Sequence, residues 1–254
     1  VASVSVVLIT RDRPALLLEA IESIGRQSHL EMELVLVRDG GMPLDDAARA
    51  ALDRLEFPAI VLEHDDDEGA ARSRNRGLTR ARGDAIAFLD DDDLWDPGHV
   101  KQLADALDRD GEAMVVYSDA RILHVETAAE RVLAVEFAPD VFVRDGFIPP
   151  SAMIARRAAF ERFGGFDPEF TYSEDWEWLI RVTRGGGKIA RVRGASATIR
   201  IHPGGLSQLK PERLAERQRC LDLMSARYGL APIQPKTFWE VTETLCPGTS
   251  ASTR

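Results

Sequence analysis

Ala85-Ile86-Ala87-Phe88-Leu89 runs straight into Asp90-Asp91-Asp92-Asp93. The apolar run has no polar alternation, which fits a strand buried on both faces. The carboxylates that follow repel one another and raise one another's pKa. Such a run is either a solvated acidic turn or a place waiting for a counter-charge. Its position after a buried strand favours the second, because open α/β sheets hold ligands beyond the carboxyl ends of their strands. Hard oxygen donors suit Mg2+ or Mn2+, which bind through one or two carboxylates plus substrate phosphates.

Working outward, Val4 to Thr10 (VSVVLIT) is another buried strand, stopped by Arg11-Asp12-Arg13-Pro14. Pro14 suits the first turn of a helix that Asp12 would cap, with Leu17, Ala20, Ile21 and Ile24 at helical spacing. Glu33 to Val37 is a second strand, ended by Asp39-Gly40-Gly41, and Ala59 to Leu62 a third. Glu68 to Arg82 reads as a polar helix before the Ala85 strand, and Asp96-Pro97 opens a helix through Leu107. Ala113 to Tyr117 is a fifth strand. This alternation predicts an α/β fold: a mostly parallel sheet flanked by helices, in a single domain. Polar clusters at 10–12, 38–40 and 90–93 then share one sheet edge.

After about residue 120 the rhythm changes. Arg121 to Val125 and Arg131 to Phe137 read as a hairpin, Ala152 to Ala155 as a short strand, and Ser173 to Arg184 as a helix. Lys188 to Val192 and Ala197 to Ile201 are strands, Pro211 to Tyr228 is an arginine-rich helix, and 231–254 is a loosely ordered tail.

Composition narrows the function classes. The 254 residues are 44% hydrophobic and carry a formal net charge of -10. A grip on nucleic acid or anionic lipid needs clustered Lys and Arg, so no nucleic-acid partner is expected. Cys220 and Cys246 form no CxxC pair and read as ordinary thiols. No apolar run reaches the ~20 residues of a membrane span. Val1 to Leu8 lacks a basic n-region and reads as a strand, not a signal peptide. The expectation is a cytoplasmic protein, with a peripheral place at a membrane face as the second option.

Two further blocks carry chemistry. Glu68 to Asp84 places Arg72, Arg74, Arg76, Arg80 and Arg82 on or next to one helix in an acidic chain. They are either a solvated face paired with Asp65 to Asp67 or an anion-binding face near the helix start at Gly69. Tyr172-Ser173-Glu174-Asp175-Trp176-Glu177-Trp178 puts acids at a helix start, where the dipole favours them, beside an aromatic wall. A carboxylate there can serve as a general base.

In order, VSVVLITRDRP, LVLVRDGG, ARSRNRGLTRARGDAIAFLDDDD, FGGFDPEF, SEDWEWLIR and RIHPGGLS resemble the family-2 glycosyltransferases of the GT-A fold, over residues 4 to about 207. The resemblance implies a Rossmann-like mixed sheet and transfer, with inversion, of a sugar from a nucleotide-diphosphosugar to an acceptor hydroxyl. It implies Mn2+ or Mg2+ as cofactor and a UDP-sugar as donor, with a sugar, glycan or small molecule as acceptor. Residues 1–120 would be the nucleotide-sugar half and 121–230 the acceptor half. Thr10, Asp12, Asp39, Arg74, Asn75, Asp90 and Asp91 would bind the nucleotide-sugar, with Asp39 on the base and Asp91 on the ribose. Asp92 and His202 would hold the metal, and Asp175 would be the catalytic base, with Glu174 pointing elsewhere on the helix. Arg38 departs from the family, which carries a second acid there, and bears on base preference.

Other classes fit less well. A nucleotidyltransferase would favour a glycine- and lysine-rich phosphate loop early in the chain, and an oxidoreductase needs GxGxxG after the first strand. Residues 10–14 contain no glycine. A non-catalytic sugar-binding module would not need both the acid run and the Glu-Asp-Trp block.

Overall fold

The computed structural model describes residues 2–29, 31–205 and 211–248. The first half alternates as expected: β1 (Val4–Thr10), α1 (Pro14–Gly25), β2 (Met32–Asp39), α2 (Asp46–Asp53), β3 (Ala59–His64), α3 (Ala70–Arg80) and β4 (Ala85–Asp90). The two-residue β5 (Leu94–Trp95), α4 (His99–Arg109), β6 (Ala113–His124) and β7 (Ala129–Leu133) follow. Then come α5 (Pro139–Phe142), β8 (Met153–Arg156), α6 (Arg157–Phe163), α7 (Glu174–Arg184), β9 (Lys188–Ile201), α8 (Pro211–Tyr228) and α9 (Phe238–Leu245).

These strands form one mixed sheet in the order β3-β2-β1-β4-β8-β6-β9-β5, with β7 paired to β6. β3, β2, β1 and β4 are mutually parallel, β8 is antiparallel to β4 and β6, and β9 is parallel to β6. Val6, Leu8, Leu34, Leu36, Phe88 and Leu89 are fully buried, as expected of strands covered on both faces. Gly77 lets α3 lie against β1, since a Cβ there would stand 2.4 Å from Val7 Cγ1.

Some local expectations change. Asp12 does not cap α1. Its φ is 53°, and its Oδ1 accepts the Met42 amide at 2.7 Å. The hairpin forms, but its first arm is the end of β6, a single 12-residue strand. The two strands expected between 188 and 201 are one strand, β9, whose pairing with β6 shifts register around Asp119. The tail is not loose throughout. Thr237 and Glu240 make a capping box that starts α9, and Val241 and Thr242 are buried. Trp239 takes Arg131 over its ring at 4.7 Å, fixing α9 against the β6–β7 hairpin. Residues 249–254 of that tail, and Leu206 and Ser207 of the RIHPGGLS block, lie outside the described residues.

Candidate active site

The register sets the strand ends level. Ile9 pairs with Asp90, and Thr10 with Arg38. Each acid beyond β4 then meets its own partners. Asp90 accepts from Arg74 Nη2 at 2.5 Å. Asp91, buried, accepts from Thr10 Oγ1 at 2.8 Å and from Arg13 Nη1 at 2.9 Å. Asp92 accepts from the same Arg13 Nη1 at 2.7 Å and lies 3.0 Å from His202 Nε2. Asp93, also buried, accepts from Ser151 Oγ at 2.6 Å and from the Arg200 amide at 3.0 Å.

The electrostatics separate these neighbours. Burial pushes Asp91 up to about 6, against the pull of Arg13. Burial, then the charges of Asp92 and Asp90, drive Asp93 well above the carboxylate range. Burial opposes ionisation of Asp92 as well, but the His202 hydrogen bond and the Arg13 charge outweigh it and leave Asp92 below its ordinary value. Carboxylate oxygens of Asp90, Asp92 and Asp93 lie within 4.8 Å of one another. Hard donors at this spacing, with their repulsion only partly relieved, fit a divalent cation such as Mg2+ or Mn2+.

The second wall is the start of α7. Ser173 precedes it at φ 61°, a left-handed conformation that costs a non-glycine residue about 1 kcal/mol or more and gathers at functional sites. Behind it, Trp178 stacks on Phe160 at 4.4 Å and donates from Nε1 to the Gly164 carbonyl at 2.9 Å. Phe88 of β4 meets Phe166 edge-on at 5.2 Å, tying this aromatic layer to the sheet. Trp176 Nε1 donates to the Phe142 carbonyl at 2.8 Å, and a Cβ on Gly146 would come within 2.5 Å of the Trp176 ring.

Arg74 joins the two walls. It is buried on α3, donates to Asp90, and forms a short ion pair with Glu174. Burial raises Glu174 to about 7 against the Arg74 charge, and raises Asp175 against the same charge. A cavity of about 210 Å3 is lined by Arg13, Arg74 and Asp90 to Asp93 on one side and by Asp175 and Trp176 on the other. Glu174 lines it too, so it does not point elsewhere on the helix. Its place at the first position of α7 brings it onto Arg74.

Glu174 gives a pH prediction. A carboxyl whose folded pKa is raised holds its proton longer in the folded state. Its contribution to stability therefore falls as pH rises from about 4.5, its unfolded value, through about 7. Glu174→Gln removes this titration while Arg74 keeps Asp90. The melting-temperature difference between Glu174→Gln and the parent should move in the variant's favour, by several degrees, between pH 5 and pH 8. A pH-independent difference in paired thermal melts would contradict the assignment.

The other expected nucleotide-binding residues lie off this cavity. Both oxygens of Asp39 are engaged: Oδ1 accepts the Glu68 amide at 2.9 Å and Oδ2 the Gly69 amide at 3.0 Å. Asp39 thereby fixes the loop that leads into α3. Arg38 is buried, donates to the Gly41 carbonyl at 3.2 Å, and lies 3.4 Å from Asp65. Asn75 clamps the chain at Phe166, donating from Nδ2 to its carbonyl at 2.7 Å and accepting its amide at 2.9 Å. It is a positioning residue for the loop before α7. Thr10 reaches the site only through Asp91. Asp39→Ala should cost about 1–3 kcal/mol of unfolding free energy, because two amides lose their acceptor. Urea denaturation is the check, and an unchanged midpoint would mean that water replaces the carboxylate without loss.

Arg13, Ser151 and Arg200 also shape the site, and none of them was expected there. Arg13 bridges Asp91 and Asp92 and donates from Nη2 to the Gly204 carbonyl at 2.9 Å. Its place at the end of β1, in the same block as Asp12, was a usable signal. Ser151 arrives from a distant 3-10 turn (Pro150–Ala152), and no sequence pattern marks it.

Comparison with known proteins adds to this geometry. The profile of a family described as glycosyl transferase family 2 matches residues 5–163. An uncharacterized glycosyltransferase of Bacillus subtilis (strain 168), YwdF, is 29% identical over 243 residues, covering 92% of this chain and 87% of its own. Residues 1–349 of TarS from S. aureus, in complex with UDP-GlcNAc, superpose with a TM-score of 0.71 at 17% identity, covering 96% of this chain and 71% of that one. This chain spans 42% of a longer TarS chain. The mannosyltransferase PcManGT from Pyrobaculum calidifontis, in complex with GDP-Man and Mn2+, superposes with a TM-score of 0.66 at 18% identity, covering 97% of this chain and 70% of that one.

Proposed function

The chain belongs to glycosyl transferase family 2, and from that membership we propose that it moves a sugar from a nucleoside-diphosphate donor to an acceptor hydroxyl, with inversion and with Asp175 as the base. Its mixed sheet is of the GT-A type, like that of the TarS and PcManGT structures. One observation carries the proposal. Arg74 pairs with Asp90 and with Glu174, which holds the acid run and the start of α7 on one cavity.

The chemistry follows from that arrangement. The acceptor oxygen attacks the anomeric carbon opposite the leaving diphosphate, so one carboxylate on the acceptor side suffices and no covalent intermediate is needed. Asp175 takes the hydroxyl proton. Burial raises its proton affinity, which suits a base. Asp92, with Asp90 and Asp93 beside it, would hold a divalent cation, which supplies positive charge against the departing diphosphate. His202 stands within reach of the same carboxylate. Arg13 neutralises Asp91 and Asp92 and keeps residues 202–205 close to them. The donor's base would lie toward Asp12 and Asp39, at the ends of β1 and β2.

UDP is the first donor nucleotide to test, and the GDP-Man complex of PcManGT makes GDP the second. Thermal melts should show stabilisation by one of these nucleotide-sugars, increased by Mn2+. Stabilisation by NAD or ATP alone, with no response to either nucleotide-sugar, would contradict the proposal. Among the described residues no helix is long and apolar enough to cross a membrane. We further propose that the acceptor reaches the cavity past Trp176 and the segment before α9.

A further inference from the structure

We propose that Arg13 binds the donor's diphosphate, and that the divalent cation releases it for that task by taking Asp92 from it. This rests on the cation reading above.

Arg13 and a cation compete for one carboxylate. Asp92 belongs to the acids whose oxygens lie within 4.8 Å of one another. Its Oδ2 accepts from Arg13 Nη1 at 2.7 Å and stands 3.0 Å from His202 Nε2. These two neighbours differ in what they can do beside a metal. A neutral imidazole offers a lone pair and can stay as a ligand, whereas a guanidinium carries only donors and a positive charge. A dication on Asp92 therefore repels Arg13 and keeps His202.

The neighbouring arginines are less able to move. Arg74 is held between Asp90 and Glu174, and Arg200 between Glu19 and the Asp92 carbonyl. The Arg74 side chain is 5% exposed and that of Arg200 9%, against 23% for Arg13. Apart from Asp92, Arg13 donates to Asp91 and to the Gly204 carbonyl, each at 2.9 Å. Asp91 also accepts from Thr10 Oγ1, so it keeps a donor when Arg13 turns away. Arg13 lines the same cavity as Arg74 and the acid run. Its planar fork of donors suits phosphate oxygens, and the cation that displaces it draws the diphosphate to the same place. Arg13 thus serves as the counter-charge of Asp92 until a cation replaces it, and as a phosphate ligand afterwards.

The test is calorimetry on the full chain and on Arg13→Gln, first with Mn2+ alone and then with UDP in saturating Mn2+, GDP replacing UDP if only GDP stabilises the chain. Arg13→Gln should bind Mn2+ about tenfold more tightly than the parent, since the cation no longer has to displace a charge-assisted bond. The same variant should bind UDP about tenfold more weakly, because it has lost a charge-assisted contact to phosphate, and should bind uridine as the parent does. A damaged fold does not produce opposite shifts for the two ligands. Arg11→Gln is the control: it removes an equal charge from the same loop, but Arg11 pairs with Asp67, so its Mn2+ affinity should match the parent's. Unchanged or weaker Mn2+ binding in Arg13→Gln would overturn the proposal, as would an equal gain in Arg11→Gln. UDP binding that ignores Arg13→Gln would overturn it too, and a loss for uridine as large as for UDP would place Arg13 at the base instead. These failures leave the cation reading standing, whereas no Mn2+ binding in parent and variants alike would overturn both.

Discussion

Asp175→Asn should lower kcat by about 100- to 10,000-fold, the range for a positioned proton acceptor, while leaving donor affinity and melting temperature close to those of the parent. The substitution is nearly isosteric. Ser173, not Asp175, occupies the N-cap position of α7, and it makes no side-chain cap bond there. The backbone around it is held by Trp176, Trp178 and Arg181, which bond to the Phe142, Gly164 and Gly165 carbonyls. A neutral amide at 175 removes a charge that partial desolvation makes costly, so stability should hold or rise slightly. Steady-state rates and thermal melts on the same preparation separate the two roles. Parent-like activity would remove the catalytic reading of this carboxylate. Glu174→Gln is not a neutral control, because Glu174 pairs with Arg74. Full activity in Asp175→Asn with a large loss in Glu174→Gln would move the base by one residue.

Asp92→Ala should reduce transfer by about 1,000-fold or more, since a dication at a leaving diphosphate contributes several kcal/mol of charge stabilisation. The fold should persist. Arg13 keeps its 2.9 Å bond to Asp91, and one like charge leaves a crowded cluster. The parent should lose activity in chelator, regain it with Mn2+ or Mg2+, and gain melting temperature on metal addition. Asp92→Ala should show none of these responses. An active Asp92→Ala in chelator would mean that Arg13 and His202 alone carry the leaving charge.

The strand–helix alternation through β4 was legible because each strand is a dense β-branched or apolar run with a polar stop at its carboxyl end. The long β6 and β9 were harder to read. Their middle stretches carry Asp119, Arg121 and Arg193, which find partners in Arg191, Asp96 and Glu136 and so sit in a sheet despite their charge. The α9 helix had a readable start in Thr237 and Glu240, but the prolines before it and the Thr-rich run after it masked the signal. At the site, Asp90 to Asp93 and the Glu174-Asp175 pair stood out as clustered charges. Arg74 was visible as one arginine among five, but nothing local told that it would be the buried one. The roles of Asn75 and Ser151 are tertiary: each is defined by a backbone more than 60 residues away in sequence, Phe166 for Asn75 (91 residues) and Asp90 for Ser151 (61 residues).

The most direct test of the central claim is proton NMR of the reaction mixture, with an acceptor present and the donor identified by thermal melts. An inverting transfer predicts that the donor's anomeric signal disappears as a new glycoside signal of the opposite anomeric configuration grows in equal amount. A product of retained configuration, or donor hydrolysis with no glycoside formed, would contradict it.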